Sequence, residues 1–328
     1  MIDLRWFAPN RFCRLVVPHL EAAGFRIATE GDEPARMAVA MDGQVAVPAF
    51  EYARRHGAPL LLYLWDLPPW RLGAGRPDVV FTAGGRVRRV PRIVGGYPER
   101  PGYYSRIRFV ARRSRWVWAP STASAADLRR RFGIEARVLP YCYDSDRFHP
   151  VSWVPTIPPR LLAISRLVPH KNHAALIRAA ARLDPRPVVQ IIGQGPEAEA
   201  LRSLAHSLGV VLSLDTEWQA DEAIAAAYRS ATVVVSPSRF EGFGLTPIEG
   251  LATGIPTVAS DIPPHREYLG EAVTYFDLED DVSLLVAIRA ALERGPADPA
   301  SVAPLGVAAA AGRFAGHLAE MLDRQPRG

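Results

Sequence analysis

Along this chain, short apolar runs alternate with longer stretches in which apolar positions recur every three or four residues. The runs at 2–7, near Ala38, and at 59–65, 79–82 and 116–118 read as strands, and 137–140 reads as a closing strand. Helical periodicity fills residues 11–20 and the stretch from Thr122 to Gly133. The proline-dense stretch 149–159 reads as a linker. Beyond it, strands are expected at 161–165, 188–192, 231–235 and 256–260. An alanine-rich amphipathic helix is expected at 307–322. Strands alternating with helices predict an α/β protein with parallel sheets. The expected division is 1–150, 151–304 and a C-terminal helix within 305–328.

The densest signal lies at 236–261. A β-branched run ends at Ser236-Pro237, a turn rich in glycine follows at Gly242-Phe243-Gly244, and Thr246-Pro247-Ile248-Glu249 has capping-box spacing with proline at the first helical position. A helix starting at Thr246 points its free amides into that turn, and such an end accepts a phosphate readily. Gly254 and Pro256 stop the helix. Glu241 precedes the turn and Glu249 follows it. A second glycine turn, Gly193-Gln-Gly-Pro-Glu-Ala198, has the letters of a dinucleotide fingerprint. It follows the second strand of its half rather than the first, so a dehydrogenase reading is weak.

Glu241 and Glu249, eight positions apart, resemble the E-x7-E signature of retaining glycosyltransferases with the GT-B fold, specifically glycosyltransferase family 4. Ile164-Ser-Arg-Leu-Val-Pro-His-Lys-Asn172, Ile191-Ile-Gly-Gln-Gly-Pro-Glu197 and Ser260-Asp-Ile-Pro-Pro-His-Arg-Glu267 are similar to that family's other segments, in the same order. The resemblance is densest over 155–290, moderate over 116–150 and weak over 1–115. It implies two Rossmann-like doubly wound domains with a cleft between them and the C-terminal helix crossing back. It also implies a nucleotide-diphosphate sugar as substrate and a carbohydrate, lipid-linked or small-molecule acceptor. Transfer would proceed with retention by front-face displacement, without cofactor or essential metal.

Under that resemblance Arg166 and Lys171 take the diphosphate, shared with amides around Leu245 and Thr246. Glu241 binds donor-sugar hydroxyls beside Gly242, Phe243 and Gly244, Glu249 binds the ribose, and Gly193 is a close-approach turn. Trp218 falls where the base is held and reads equally as a stacking residue or a core tryptophan. On the acceptor or sugar side, Asn10 stands where the family has a glycine-rich loop. Trp65-Asp66 stands where many members carry a histidine, which suggests a donor lacking a 6-hydroxyl, with Asp66 as an acceptor contact. Alternatives within the fold are a nucleotide-sugar epimerase, a phosphorylase, or a catalytically silent nucleotide-sugar-binding subunit. The segment after Asp261 resembles mannosyl- and rhamnosyltransferases of polysaccharide biosynthesis, leaving GDP-mannose, dTDP-rhamnose and UDP-sugars as donors.

Composition narrows the partners. The 328 residues suffice for two domains at ~100–200 residues each. Net charge is +5, and Lys171 is the single lysine among 39 basic residues, placed in the presumed diphosphate loop. The arginine-rich stretch 86–115, interleaved with Tyr103, Tyr104 and Phe109, suits anionic lipid headgroups or is an ordinary solvated face. No nucleic-acid partner is expected. Cys13 and Cys142 form no disulfide or metal pattern. His170 and His173 lack a third ligand, and Asp144-Ser-Asp146 is read as part of an Asp-x-x-x-Phe stretch rather than a metal site. No apolar run nears the ~18 residues of a membrane span, and no signal peptide is evident. The expected location is cytoplasmic, or peripheral at the inner face of the membrane.

Overall fold

A computed structural model describes residues 1–7, 11–65, 78–81, 87–90, 93–94, 97–98, 103–280 and 282–323. The chain divides into two compact units, Met1–Cys142 with Leu305–Gly328, and Tyr143–Pro304. In the first, β1 (Ile2–Phe7), β2 (Phe25–Ala28), β3 (Met37–Ala40) and β4 (Leu60–Tyr63) are joined by α1 (Arg11–Ala22) and α2 (Ala46–His56). Two antiparallel pairs follow, β5 (Asp78–Phe81) with β6 (Val87–Val90) and β7 (Ile93–Val94) with β8 (Tyr97–Pro98). Then come α3 (Tyr103–Ala111), β9 (Trp116–Ala119), α4 (Thr122–Phe132) and β10 (Arg137–Val138).

The main sheet of this unit is wholly parallel, ordered β10-β9-β4-β3-β1-β2. Several elements depart from the sequence expectation. The strand expected near 79–82 pairs with β6 outside the main sheet, and β2, a short edge strand, was not anticipated. Ser121 caps α4 by accepting from the Ser124 amide, and Gly133 ends it in the left-handed region that suits glycine. The C-terminal helix Val307–Asp323 belongs to this unit: Phe314 packs on Trp6, Phe12 and Trp118, and Arg137 pairs with Glu320 at 3.0 Å.

The second unit runs β11 (Arg160–Ile164), α5 (His173–Ala180), β12 (Val188–Ile192), α6 (Ala198–Leu208), β13 (Val211–Asp215), α7 (Asp221–Ser230), β14 (Val233–Ser236), α8 (Leu245–Ala252), β15 (Thr257–Ser260), α9 (Pro263–Leu269), β16 (Thr274–Phe276) and α10 (Ser283–Arg294). Its parallel sheet is ordered β13-β12-β11-β14-β15-β16. That is the doubly wound order in which strand succession reverses between the first and fourth strands, here β11 and β14, opening a crevice beyond their carboxyl ends. β14 and β15 are buried at every position, with Val233–Val235 and Val258–Ala259 as their apolar centres.

The sequence expectation put the boundary at 150. The first unit instead closes at Cys142, because residues 144–153 bond into the second. Arg147 pairs with Asp144 and Asp221, the Val151 amide donates to Thr253, and the Trp153 indole donates to the Thr232 carbonyl. Among the described residues, no helix is long and apolar enough to cross a membrane.

Candidate functional site

The chain leaves β11 at Ile164 and runs through Ser165 and an exposed Arg166 before Leu167 and Val168, both fully buried, anchor the loop. A single 3-10 turn at Pro169–Lys171 and a left-handed Asn172 then start α5. This path lies directly against the glycine turn after β12. A Cβ on Gly193 would lie 1.8 Å from the Ser165 carbonyl oxygen, and one on Gly195 would lie 2.3 Å from that of Leu167. Only glycine permits two backbones to approach so closely. The Ser165 amide donates to Ile192, the Leu167 amide to Gln194 and the Glu197 amide to Leu167, fastening the loops together.

The turn after β14 completes the crevice. α8 begins at Leu245, with Gly244 as its N-cap at φ 94° and no side-chain cap. The capping box expected at Thr246 is therefore not formed. The Thr246 hydroxyl donates to the Ile164 carbonyl at 2.6 Å, and the buried Glu249 carboxylate accepts from the Tyr228 hydroxyl at 2.8 Å. Tertiary partners have outcompeted the local box, and Gly244 gives α8 no side-chain cap. Gly250 lets this helix lie tight on the sheet, since a Cβ there would meet Thr257 Oγ1 at 2.7 Å. The Arg239 amide donates to the His170 carbonyl at 2.7 Å, tying the β14 loop to the 3-10 turn.

Across this crevice Lys171 Nζ and Glu241 Oε1 meet at 2.5 Å, their side chains only 12% and 15% exposed. Burial pushes the Glu241 carboxyl up. The ammonium of Lys171, the field of His265 and hydrogen bonds from Lys171 and Ser238 outweigh it, holding the group below its ordinary value. It is therefore ionised at neutral pH. Two buried histidines flank the pair. His265 is wholly enclosed behind Gly244, with Nδ1 2.9 Å from the Ser260 carbonyl, and burial keeps its pKa low. His173 sits 3.0 Å from the Ser165 hydroxyl, and burial together with Lys171 pushes it down to about 4.

The remaining candidates are dispersed more widely. Phe243 is not open to a ligand through its ring, which is buried against Tyr268 at 4.6 Å and holds the turn by packing. Trp218, on the loop after β13, is 82% exposed, so it is not a core tryptophan. Its loop adjoins Gly193, whose amide donates to the Asp215 carbonyl. In the first unit Trp65 donates its indole N–H to the Met41 carbonyl and stands edge-on to Tyr141 at 4.3 Å. Asn10 and Asp66 lie outside the described residues. Asp144 binds Arg147 at 2.8 Å and its amide at 3.2 Å. No cluster of three metal-ligating side chains occurs among the described residues.

The structure thus gathers Arg166, Lys171, Gly193, Glu241–Thr246 and Glu249 along the carboxyl edge of one sheet. Sequence reasoning missed Tyr228 and His265. The first is one aromatic on the amphipathic helix α7, and the second lies on α9 within the 260–267 segment, which was read for its resemblance and not for this histidine.

Comparison with known proteins bears on this edge. Residues 144–299 match the family described as Glycosyl transferases group 1. A GDP-mannose-dependent alpha-(1-6)-phosphatidylinositol monomannoside mannosyltransferase of Mycolicibacterium smegmatis is 30% identical over 204 residues, 58% of this chain and 47% of the relative. A D-inositol 3-phosphate glycosyltransferase of Geodermatophilus obscurus is 32% identical over 236 residues, 64% of this chain and 52% of the relative. The chain spans about half the length of the curated relatives it matches. Among solved structures, sucrose-phosphate synthase of Thermosynechococcus elongatus superposes with a TM-score of 0.76 at 15% identity, covering 99% of this chain and 100% of that one. Anabaena HepE in complex with UDP-glucose superposes with a TM-score of 0.67 at 16% identity over 99% and 100%. The fold is GT-B, with two Rossmann-like units.

Proposed function

We propose that this chain is a retaining glycosyltransferase of family 4, moving a sugar from a nucleoside diphosphate donor to an acceptor. The observation that carries the proposal is the crevice between β11 and β14. There a lysine, an ionised carboxylate and an uncapped helix start converge at the point where strand order reverses.

The chemistry required is departure of a nucleoside diphosphate from an anomeric carbon, so positive charge must face the leaving phosphate. Arg166, Lys171 and the amides of Leu245 and Thr246 supply it in this reading. An opposite charge at ~4 Å contributes ~4 kcal/mol at an effective dielectric of ~20. Glu241 takes sugar hydroxyls and Glu249, oriented by Tyr228, takes the ribose. Trp218 offers an exposed ring for the base. Front-face displacement, with the leaving phosphate assisting acceptor deprotonation, accounts for retention without a protein nucleophile.

For donor identity the HepE complexes, which hold UDP and UDP-glucose, favour a uridine nucleotide, while the mannosyltransferase relative favours guanosine. By the resemblance, Trp65 in the place of a histidine favours a donor lacking a 6-hydroxyl, and its indole N–H is committed to the Met41 carbonyl. The relatives named for phosphatidylinositol mannoside and inositol phosphate favour a lipid-linked or polyol acceptor. Arg106, Arg108 and Arg113 on and after α3 suit a peripheral membrane contact.

The test is thermal shift and calorimetry with UDP-glucose, GDP-mannose and dTDP-rhamnose. A ligand at a hundred times its dissociation constant adds ~2.7 kcal/mol to stability. One of the three is expected to bind, and Arg166→Ala and Lys171→Ala are each expected to weaken it. Binding that ignores both substitutions would remove the assignment.

A further inference from the structure

Lys171 and Glu241 occupy one another in this structure. Nζ and Oε1 are 2.5 Å apart, and both side chains are largely enclosed. In the reading above their partners differ, a diphosphate for the ammonium and sugar hydroxyls for the carboxylate. A ligand can therefore draw them apart without stranding a buried charge only if it supplies both. A buried ion left without its partner is costly, whereas one handed to a new partner is not.

We propose that the Lys171–Glu241 pair is a latch that discriminates a sugar-bearing donor from its own product. An intact donor satisfies both ions and opens the latch. A bare nucleoside diphosphate satisfies Lys171 alone and leaves Glu241 enclosed without the partner that offsets its burial. Once the sugar has left, Glu241 regains its attraction for Lys171 and competes with the product's phosphates for it, which hastens release. The arrangement around the pair favours recapture. Lys171 sits on a single 3-10 turn fixed by the Arg239–His170 backbone bond. Glu241 follows that same Arg239 by two residues, so one short tether holds both ions to the same rim. No other lysine exists in the chain to take the place of Lys171.

This inference rests on the donor-site reading and makes a claim that reading does not: removing Glu241 should tighten the product. Calorimetry with UDP and GDP on wild type and Glu241→Gln is the measurement. A site competent only while its latch is open binds more weakly by the fraction open, so Glu241→Gln should lower the nucleoside diphosphate Kd about tenfold. The matching nucleotide sugar should not gain. In a Lys171→Ala background the gain should vanish, because there is nothing left to latch.

Unchanged or weaker nucleoside diphosphate binding by a folded Glu241→Gln protein overturns the latch. So does a gain that persists without Lys171, which is simple charge repulsion. Should Glu241→Gln fail to fold, wild-type protein labelled with 15N-lysine decides the matter, since its one ε-ammonium resonance must shift at saturation with UDP or GDP. A resonance unmoved while nucleotide binds overturns it. A wild-type protein that binds neither nucleotide removes the donor-site reading and the latch with it, whereas binding without the gain removes the latch alone.

Discussion

Gly193→Ala adds one methyl group at the tightest backbone contact of the candidate site. The new Cβ would stand 1.8 Å from the Ser165 carbonyl oxygen and 2.8 Å from its carbon, and 3.4 Å is the near edge of ordinary contact. The two loops must separate by roughly 1.6 Å, and the obstacle is backbone, so no side chain can swing aside. Overpacking of this kind costs ~1–3 kcal/mol. The separation also strains backbone hydrogen bonds from Ser165 to Ile192, Leu167 to Gln194 and Glu197 to Leu167, at about 1 kcal/mol net each. A total of about 2–5 kcal/mol follows when part of that bonding survives. For a unit of this size it lowers Tm by roughly 4–20 °C. Because Arg166 rides on the displaced loop, nucleotide affinity should fall with it. Differential scanning calorimetry reads the first effect and isothermal titration the second. Gly312→Ala is the control: that glycine lies within the C-terminal helix with nothing within 4 Å of a new Cβ, so the substitution should stabilise by ~0.5–1 kcal/mol. A Gly193→Ala protein that melts with wild type and binds nucleotide normally would refute the claim that this contact builds the site.

Other outcomes follow from the same geometry. Tyr228→Phe deprives the buried Glu249 carboxylate of a donor at 2.8 Å and should cost ~1.5–3 kcal/mol in urea unfolding, whereas an unchanged midpoint would mean Glu249 finds full support elsewhere. His173 is held at about 4 against 6.5 for a free histidine, so the unfolded chain takes up its proton first. Stability should therefore decline as pH falls from 6.5 to 4, by on the order of 3 kcal/mol, and His173→Gln should flatten that slope in urea midpoints measured across the window. Glu241 has the opposite charge type but a lowered pKa as well, so its contribution stands above 4.5 and is lost only as pH drops below that. Trp218→Ala should leave stability within ~0.5 kcal/mol, since the ring is exposed, yet weaken nucleotide binding by ~1–3 kcal/mol if the base stacks there. Equal affinity for both proteins would free that loop of any role in base recognition.

Local pattern determined a great deal. The apolar runs at 161–165, 188–192 and 231–235 each became a strand, because a parallel strand buried on both faces must be apolar throughout. Glycines at 193 and 244 marked the places where chain meets chain, and the spacing of Glu241 and Glu249 pointed to the segment that lines the crevice. The sequence also placed the helix near Thr246 but assigned its first turn to a capping box. The assignment failed because a capping box is scored on a segment by itself, while Ile164 and Tyr228, 82 and 21 residues distant from their partners, offered bonds in the fold that the segment could not reveal.

What the fold alone decided is adjacency. Strand order is set by how helices cover both faces of a twisted sheet, and no run of residues states which strand its neighbour will be. Only that order puts β11 beside β14, and so Lys171 against Glu241, 70 residues away. The same holds for Phe243, whose ring turns inward onto Tyr268, and for Trp218, whose ring turns outward. Both are aromatic residues beside a glycine-rich edge, identical in kind as letters. Their opposite fates depend on which side of the backbone the surrounding helices happen to cover.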